Sequence, residues 1–132
     1  MIEVKIDGAS NGNPGLSGAG IVIKVNGNIF EYSIPLGLLT NHEAEFNSLL
    51  KALEICKQQF PDKIIAIQSD SQLVVDAVEK NYVKNETYNQ LLTNIMELLQ
   101  SFPLFFIKWI PSNQNKQADR LARQAILQQK QA

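Results

Sequence analysis

Four things are scarce in this chain of 132 residues, and each scarcity narrows what it can be. Cysteine occurs once, as Cys56, which excludes an internal disulfide framework and makes a reducing compartment, the cytoplasm, the expectation. Histidine also occurs once, as His42, so no Cys/His cluster of the zinc-binding kind is present. No apolar run approaches the roughly 20 residues of a membrane span. Met1 is not followed by a basic segment leading into an apolar block, so neither a membrane anchor nor a secretory leader is expected. Net charge is nearly absent as well, at −1, which argues against a generic polyanion binder.

What is present is an ordinary globular mixture, 45% hydrophobic and 19% charged, with length for one domain, 1–132, and a full core. The charge is unevenly spread. From Lys108 onward, Lys108, Lys116, Arg120, Arg123 and Lys130 face a single acid, Asp119. A basic tail on a helix reads first as a solvated face and only second as a phosphate contact.

The periodicities give an order of elements. Ile2, Val4 and Ile6 alternate with Glu3, Lys5 and Asp7, a half-buried strand over 2–7 that delivers Asp7 into a turn rich in glycine, Gly8 to Gly15. Residues 17–25 and 28–34 read as two more strands joined through Asn26-Gly27, a hairpin signal, with Pro35 to Leu39 as a connection. A helix over about 40–58 opens with Thr40-Asn41-His42-Glu43, a capping box, and turns Phe46, Leu49, Leu50, Leu53 and Cys56 inward. The apolar run 63–69 suits a strand covered on both faces. After Asp70-Ser71 a helix to about Lys80 carries Leu73, Val74, Ala77 and Val78, and another over 86–101 carries Leu91, Leu92, Ile95, Met96 and Leu99. A last strand over 104–110 places Trp109 in the core. A polar loop, 111–117, then leads to a helix over 115–129 that buries Ala118, Leu121, Ala122, Ala125 and Ile126. The order βββαβααβα predicts an α/β fold, with strand 63–69 parallel to strand 2–7 so that Asp7 and Asp70 emerge together at the carboxyl ends.

Glu45 and Asp119 complete a possible set of four carboxylates. Periodicity leaves Glu43 and Glu45 equally placed, and the capping box assigns Glu43 to the helix end. Each acid also has a structural reading: Asp7 capping its own turn, Asp70 as a helix N-cap, Asp119 as an i,i+4 partner of Arg123. Convergence of all four without four bases would instead need cations among them, and hard oxygen donors favour Mg²⁺ or Mn²⁺. Two such ions activate water and stabilise the leaving oxygen of a phosphodiester.

The chain resembles the type 1 ribonuclease H family over essentially its full length. The resemblance is carried by Asp7-Gly8-Ala9-Ser10 with Gly12-Asn13-Pro14-Gly15, by Thr40-Asn41-His42-Glu43-Ala44-Glu45, by Ser69-Asp70-Ser71, and by Asn115-Lys116-Gln117-Ala118-Asp119-Arg120-Leu121-Ala122. It implies a five-stranded mixed sheet flanked by helices, with Asp7, Glu45, Asp70 and Asp119 as the catalytic carboxylates that bind two Mg²⁺ or Mn²⁺ ions. It implies further that Asn13, Asn41 and His42 follow the minor groove of an RNA/DNA hybrid near its 2′-hydroxyls. Thr40 resembles part of the family's pocket for a DNA-strand phosphate, with Asn85 completing it, and Ser71 is a further nucleic-acid contact. Two features depart from the family. Many members carry a histidine in the loop before the last aspartate, whereas 111–117 has none; many carry a basic, aromatic-bearing protrusion between the middle helices, whereas 79–88 holds only Lys80 and Lys84.

The expected protein is therefore a monomeric endonuclease cutting the RNA strand of RNA/DNA hybrids, with no membrane association and no obligate protein partner. The rivals are an inert nucleic-acid-binding module of the same fold, a related nuclease acting on double-stranded RNA or a DNA junction, and a purely structural protein.

Overall fold

The computed structural model describes residues 1–130. β1 (Ile2–Ser10), β2 (Gly15–Val25) and β3 (Asn28–Leu39) form an antiparallel meander, with Asn26 and Gly27 both left-handed in the β2–β3 turn. α1 (Asn41–Gln59) crosses over to β4 (Ile65–Ser69), which lies parallel beside β1. α2 (Gln72–Lys80) and α3 (Asn89–Gln100) lead to β5 (Phe105–Trp109), parallel beside β4, and α4 (Lys116–Lys130) follows. The sheet order is β3-β2-β1-β4-β5, so the first strand stands at its centre. This is the mixed sheet that the element order predicts.

One face of the sheet packs on α1, and α3 packs on α1 in turn. There Ile2, Val4, Ile6, Ile21, Ile23, Ile65 and Ile67 meet Phe46, Leu49, Leu53, Ile95 and Leu99, all buried. Each such side chain contributes about 1.5–3 kcal/mol by leaving water. α4 crosses the other face over β2, burying Ala118, Leu121, Ala122, Ala125 and Ile126 as its periodicity predicts. Both layers need helix backbone to lie close against strand backbone. A Cβ on Gly8 would come within 2.2 Å of the Ala44 carbonyl oxygen, and one on Gly20 within 1.8 Å of the Ala118 carbonyl oxygen. Among the described residues no helix is long and apolar enough to cross a membrane.

Several expectations are corrected. β1 continues to Ser10, so Gly8 lies inside a strand, where its missing side chain admits α1. β3 runs through Pro35 to Leu39, past a register shift at Ser17/Gly18; it is an edge strand, where a residue without an N–H is tolerated. Residues 86–88 form a separate 3-10 turn, capped by the Asn85 side chain, and α3 begins only at Asn89. Leu50, Leu73, Leu91 and Met96 sit at the margin of the core, half-buried. Trp109 is not in the core: it is 44% exposed, and its indole N–H donates to the Asp70 carbonyl oxygen at 3.1 Å. The end of β5 lies at the sheet edge beside the β4–α2 turn, where solvent reaches the ring.

α4 is also tied to the central strand by Asn115, whose buried Nδ2 donates to the Ile6 carbonyl oxygen at 2.8 Å. Two stability predictions follow from this packing. Gly20→Ala should destabilise the protein by ~1–3 kcal/mol through overpacking against α4, read as a lowered midpoint in urea. Asn115→Ala should cost ~1–3 kcal/mol by removing a buried hydrogen bond, with α4 losing amide-exchange protection before β1 and β4.

Candidate active site

Four carboxylates reach the same edge of the sheet from four elements. Ile6 pairs with Ser69 in parallel register, so the next residues, Asp7 on β1 and Asp70 just past β4, lie abreast. Asp70 is pinned through its backbone: its carbonyl takes the Trp109 indole, while Ile110 N–H donates to the Ser69 carbonyl oxygen at 2.9 Å. It is not the helix cap; Ser71 is, with its hydroxyl accepting from Val74 N–H at 3.3 Å. The Asp70 carboxylate is thereby left for other use.

Glu45 comes from the first turns of α1. The capping box is complete: Glu43 N–H donates to Thr40 Oγ1 at 3.2 Å, and Thr40 N–H donates to Glu43 Oε1 at 2.9 Å. Glu43 is thus held at the helix end while Glu45 faces the sheet, and Gly8 lets that turn of α1 rest on β1. Asp119 comes from the start of α4, its N–H donating to the Asn115 carbonyl oxygen at 3.1 Å.

The electrostatics follow from this crowding. Asp7 is only 9% exposed. Its carboxyl is pushed up from 3.8 to about 8, first by burial, then by the charge of Asp70, a hydrogen bond with Asp119, and the charges of Asp119 and Glu45. Glu45 is raised as well, by burial, while hydrogen bonds from Ser71 and His42 and the nearby imidazole pull it back. Nδ1 of His42 lies 3.4 Å from Glu45 Oε1. Among the described residues no three of these groups stand as a closed ligand shell. Asp119 is shared between two neighbours, beside Asp7 on one side and with both oxygens 3.1 Å from Nε of Arg123 on the other. The donor set still fits hard divalent cations, being all carboxylate oxygen with no thiolate at hand. The mutual repulsion recorded in Asp7 is what such cations relieve.

The other candidates separate into two groups. Asn13, Thr40, Asn41 and His42 stand together, since the Asn13 Oδ1 accepts from Asn41 N–H at 3.1 Å and joins the β1–β2 turn to the start of α1. Asn85 lies across a cleft of about 480 Å³ lined by His42, Leu73, Val83, Lys84, Asn85 and Tyr88. Its side-chain oxygen is engaged with Thr87 N–H at 2.9 Å, and Thr40 does not line that cleft. Ser71 lies near enough to Glu45 to pull its carboxyl downward, while its hydroxyl caps α2. The residue pattern assigns no role to Tyr88 and places Asn115 only at the head of the last motif, whereas Arg123 is, as expected, the i,i+4 partner of Asp119. Tyr88 stacks on Phe46 at 5.2 Å and meets the His42 ring edge-on at 6.2 Å.

Residues 5–125 match the family described as reverse transcriptase-like. The putative hydrolase EbsB of Enterococcus faecalis is 43% identical over 96% of this chain and 94% of its own length. The ribonuclease HI of Halobacterium salinarum is 32% identical over 95% of this chain, which spans 64% of that protein. The crystal structure of LC11-RNase H1 in complex with an RNA/DNA hybrid superposes with a TM-score of 0.89 at 31% identity, covering 97% of this chain and 98% of that one. Shared sequence over nearly the whole length, on the same mixed sheet, leads to one conclusion: the chain belongs to the ribonuclease H family.

Proposed function

We propose that this protein is a divalent-metal-dependent endonuclease that hydrolyses the RNA strand of RNA/DNA hybrids. The observation that carries the reading is the convergence of Asp7, Glu45, Asp70 and Asp119 at one sheet edge, strained enough to hold a proton on Asp7 up to about pH 8. A structural protein gains nothing from that arrangement, since each buried like charge costs stability. Membership of the ribonuclease H family and likeness to a relative solved with a hybrid support the substrate.

In this reading Asp7, Glu45, Asp70 and Asp119 would hold two Mg²⁺ or Mn²⁺ ions. Such ions, when bound, lower the pKa of water and stabilise the leaving oxygen of an in-line displacement. The chain's own work is positioning. Trp109 fixes the backbone of Asp70, Ser71 eases the charge on Glu45, and Arg123 does the same for Asp119. Asn13, Asn41 and His42 donate to and accept from 2′-hydroxyls, the group that marks RNA. Thr40 contacts a DNA-strand phosphate at the start of α1, Asn85 is a second such contact at the neighbouring cleft, and Ser71 is a further nucleic-acid contact. Residues 111–117 offer no group that titrates near neutrality, so proton transfer to the leaving strand falls to solvent. That feature favours the second reading, a hybrid-binding module with little turnover.

Cleavage of a labelled hybrid with Mg²⁺ or Mn²⁺ at low salt, run beside duplex DNA, double-stranded RNA and single-stranded RNA, decides between them. Metal-dependent cutting of the hybrid's RNA strand is expected. Asp7→Asn should lower it at least ~100-fold, since even residues that only orient a metal ligand cost about 10–100-fold when lost. Hybrid binding without cutting under either metal would overturn the catalytic reading and leave the binding module.

A second prediction concerns pH. Asp7 titrates at about 8 in the folded protein against 3.8 ordinarily, so the folded state keeps a proton that the unfolded chain has lost between those values. Metal-free stability should therefore fall as pH rises from about 4 to 8. Mg²⁺ competes with that proton, so the rise in melting temperature it causes should be larger at the upper end of that window, and Asp7→Asn should flatten both effects. Differential scanning fluorimetry reads them. No thermal response to Mg²⁺ or Mn²⁺ at any pH would count against the metal site.

A further inference from the structure

We infer that the exposed face of α4 is a phosphate track for the strand being cut, taking over the grip on the substrate that the segment between α2 and α3 is too poor in charge to supply. The inference rests on the hybrid-hydrolase reading above.

Lys116, Arg120, Arg123, Leu127 and Lys130 recur at intervals of four and three, which puts them on one stripe of the helix, all exposed. The opposite stripe is the buried one. The head of the exposed stripe is part of the active-site edge: Lys116 and Arg123 line a cleft of about 370 Å³ with Asp70, Ser112, Asn113 and Asp119. Arg123 also lines a second cleft of about 280 Å³, with Ser10, Asn11, Ile126, Leu127 and Lys130. Both clefts are lined by Arg123, so they follow one another along α4 from the carboxylates toward Lys130, the outer one flanked by the β1–β2 turn, and together they make up the groove.

The charges along this groove are available. Among the described residues neither Lys116 nor Lys130 has an ion-pair partner. Arg123 meets Asp119 through Nε alone, which leaves the Nη edge of its planar fork to face the groove. Arg120 is set apart by its bond to Glu31 on β3, 3.2 Å away, and is not part of the track.

Two physical arguments assign the occupant. A site built of four carboxylates repels a polyanion, so the phosphates next to the scissile one need cations at its margin; in this chain Lys116 and Arg123 supply them. The strand bearing the scissile phosphate must pass the carboxylates, and the groove begins there, so the track receives that strand, the RNA. From Lys116 to Lys130 the helix spans about 21 Å at ~1.5 Å per residue. That is on the order of six nucleotides at ~3.4 Å of axial rise. By contrast, Lys80 and Lys84 are the only bases in 79–88.

The test uses the full chain carrying Asp7→Asn, so that hybrid is bound without being cut, and follows hybrid affinity by fluorescence anisotropy across a KCl series. Lys116→Gln and Lys130→Gln, each added to that chain, should weaken binding and reduce the salt slope by about 1 apiece. Lys57→Gln, in the last turn of α1 at the end away from the site, should leave both unchanged. Replacing phosphates by neutral methylphosphonates in the RNA strand should erase the difference between parent and variants; the same change in the DNA strand should preserve it. Unchanged slopes in both lysine variants of a parent that binds hybrid would overturn the track and leave the hydrolase reading intact. A difference erased by DNA-strand neutralisation, or equal losses on duplex DNA, would overturn the strand assignment. A parent chain with no affinity for hybrid would overturn the functional reading itself.

Discussion

Two contacts of backbone against backbone hold the site together. At Gly8 the first turns of α1 rest on β1, and at Gly20 the start of α4 rests on β2, each too close for a Cβ. Asp7, on β1 between these supports, pairs across the sheet with Gly20 itself. Glu45 and Asp119 are brought in by the two helices, from opposite faces of one sheet, and Asp70 by the parallel neighbour. Without both close approaches the helices would stand off the sheet and the carboxylates would not interact. The site is a consequence of packing density at its edge.

That density has an electrostatic consequence. A carboxyl held at about 8 is mainly a statement about burial and three like-charged neighbours. The surrounding structure therefore spends stability to keep the group in place, and the well-filled core beneath it provides the reserve. The partners that offset the strain are peripheral: His42 and Ser71 at Glu45, Arg123 at Asp119.

The distribution of positive charge tells a related story. A chain with a net charge of −1 cannot hold a polyanion by its overall field, so its cations must act locally. They are concentrated on α4, the helix that also carries one of the carboxylates. The same element then carries a site carboxylate at its N-terminal end and, in the track proposed above, cations along its length. A rigid, well-packed helix does this with less loss of side-chain and backbone freedom than a protruding loop would.

Much of this was legible in the residues alone, where the signal is local. Alternation over Ile2–Asp7, the Asn26-Gly27 turn, the Thr40–Glu43 box and the buried stripe of α4 depend on neighbours a few residues apart, and each element formed where expected. The element order also determined the parallel pairing that sets Asp7 beside Asp70. What only the tertiary structure decided depends on which elements abut. Gly8 could be read as a turn residue until α1 was seen lying on it. Trp109 carried the pattern of a core residue, yet the strand end it occupies lies at an open edge. Pro35 reads as a break unless its strand is known to be the outermost. The protonation of Asp7 and the two clefts lined by Arg123 arise from groups far apart in the chain, and no spacing along the sequence encodes a distance across it.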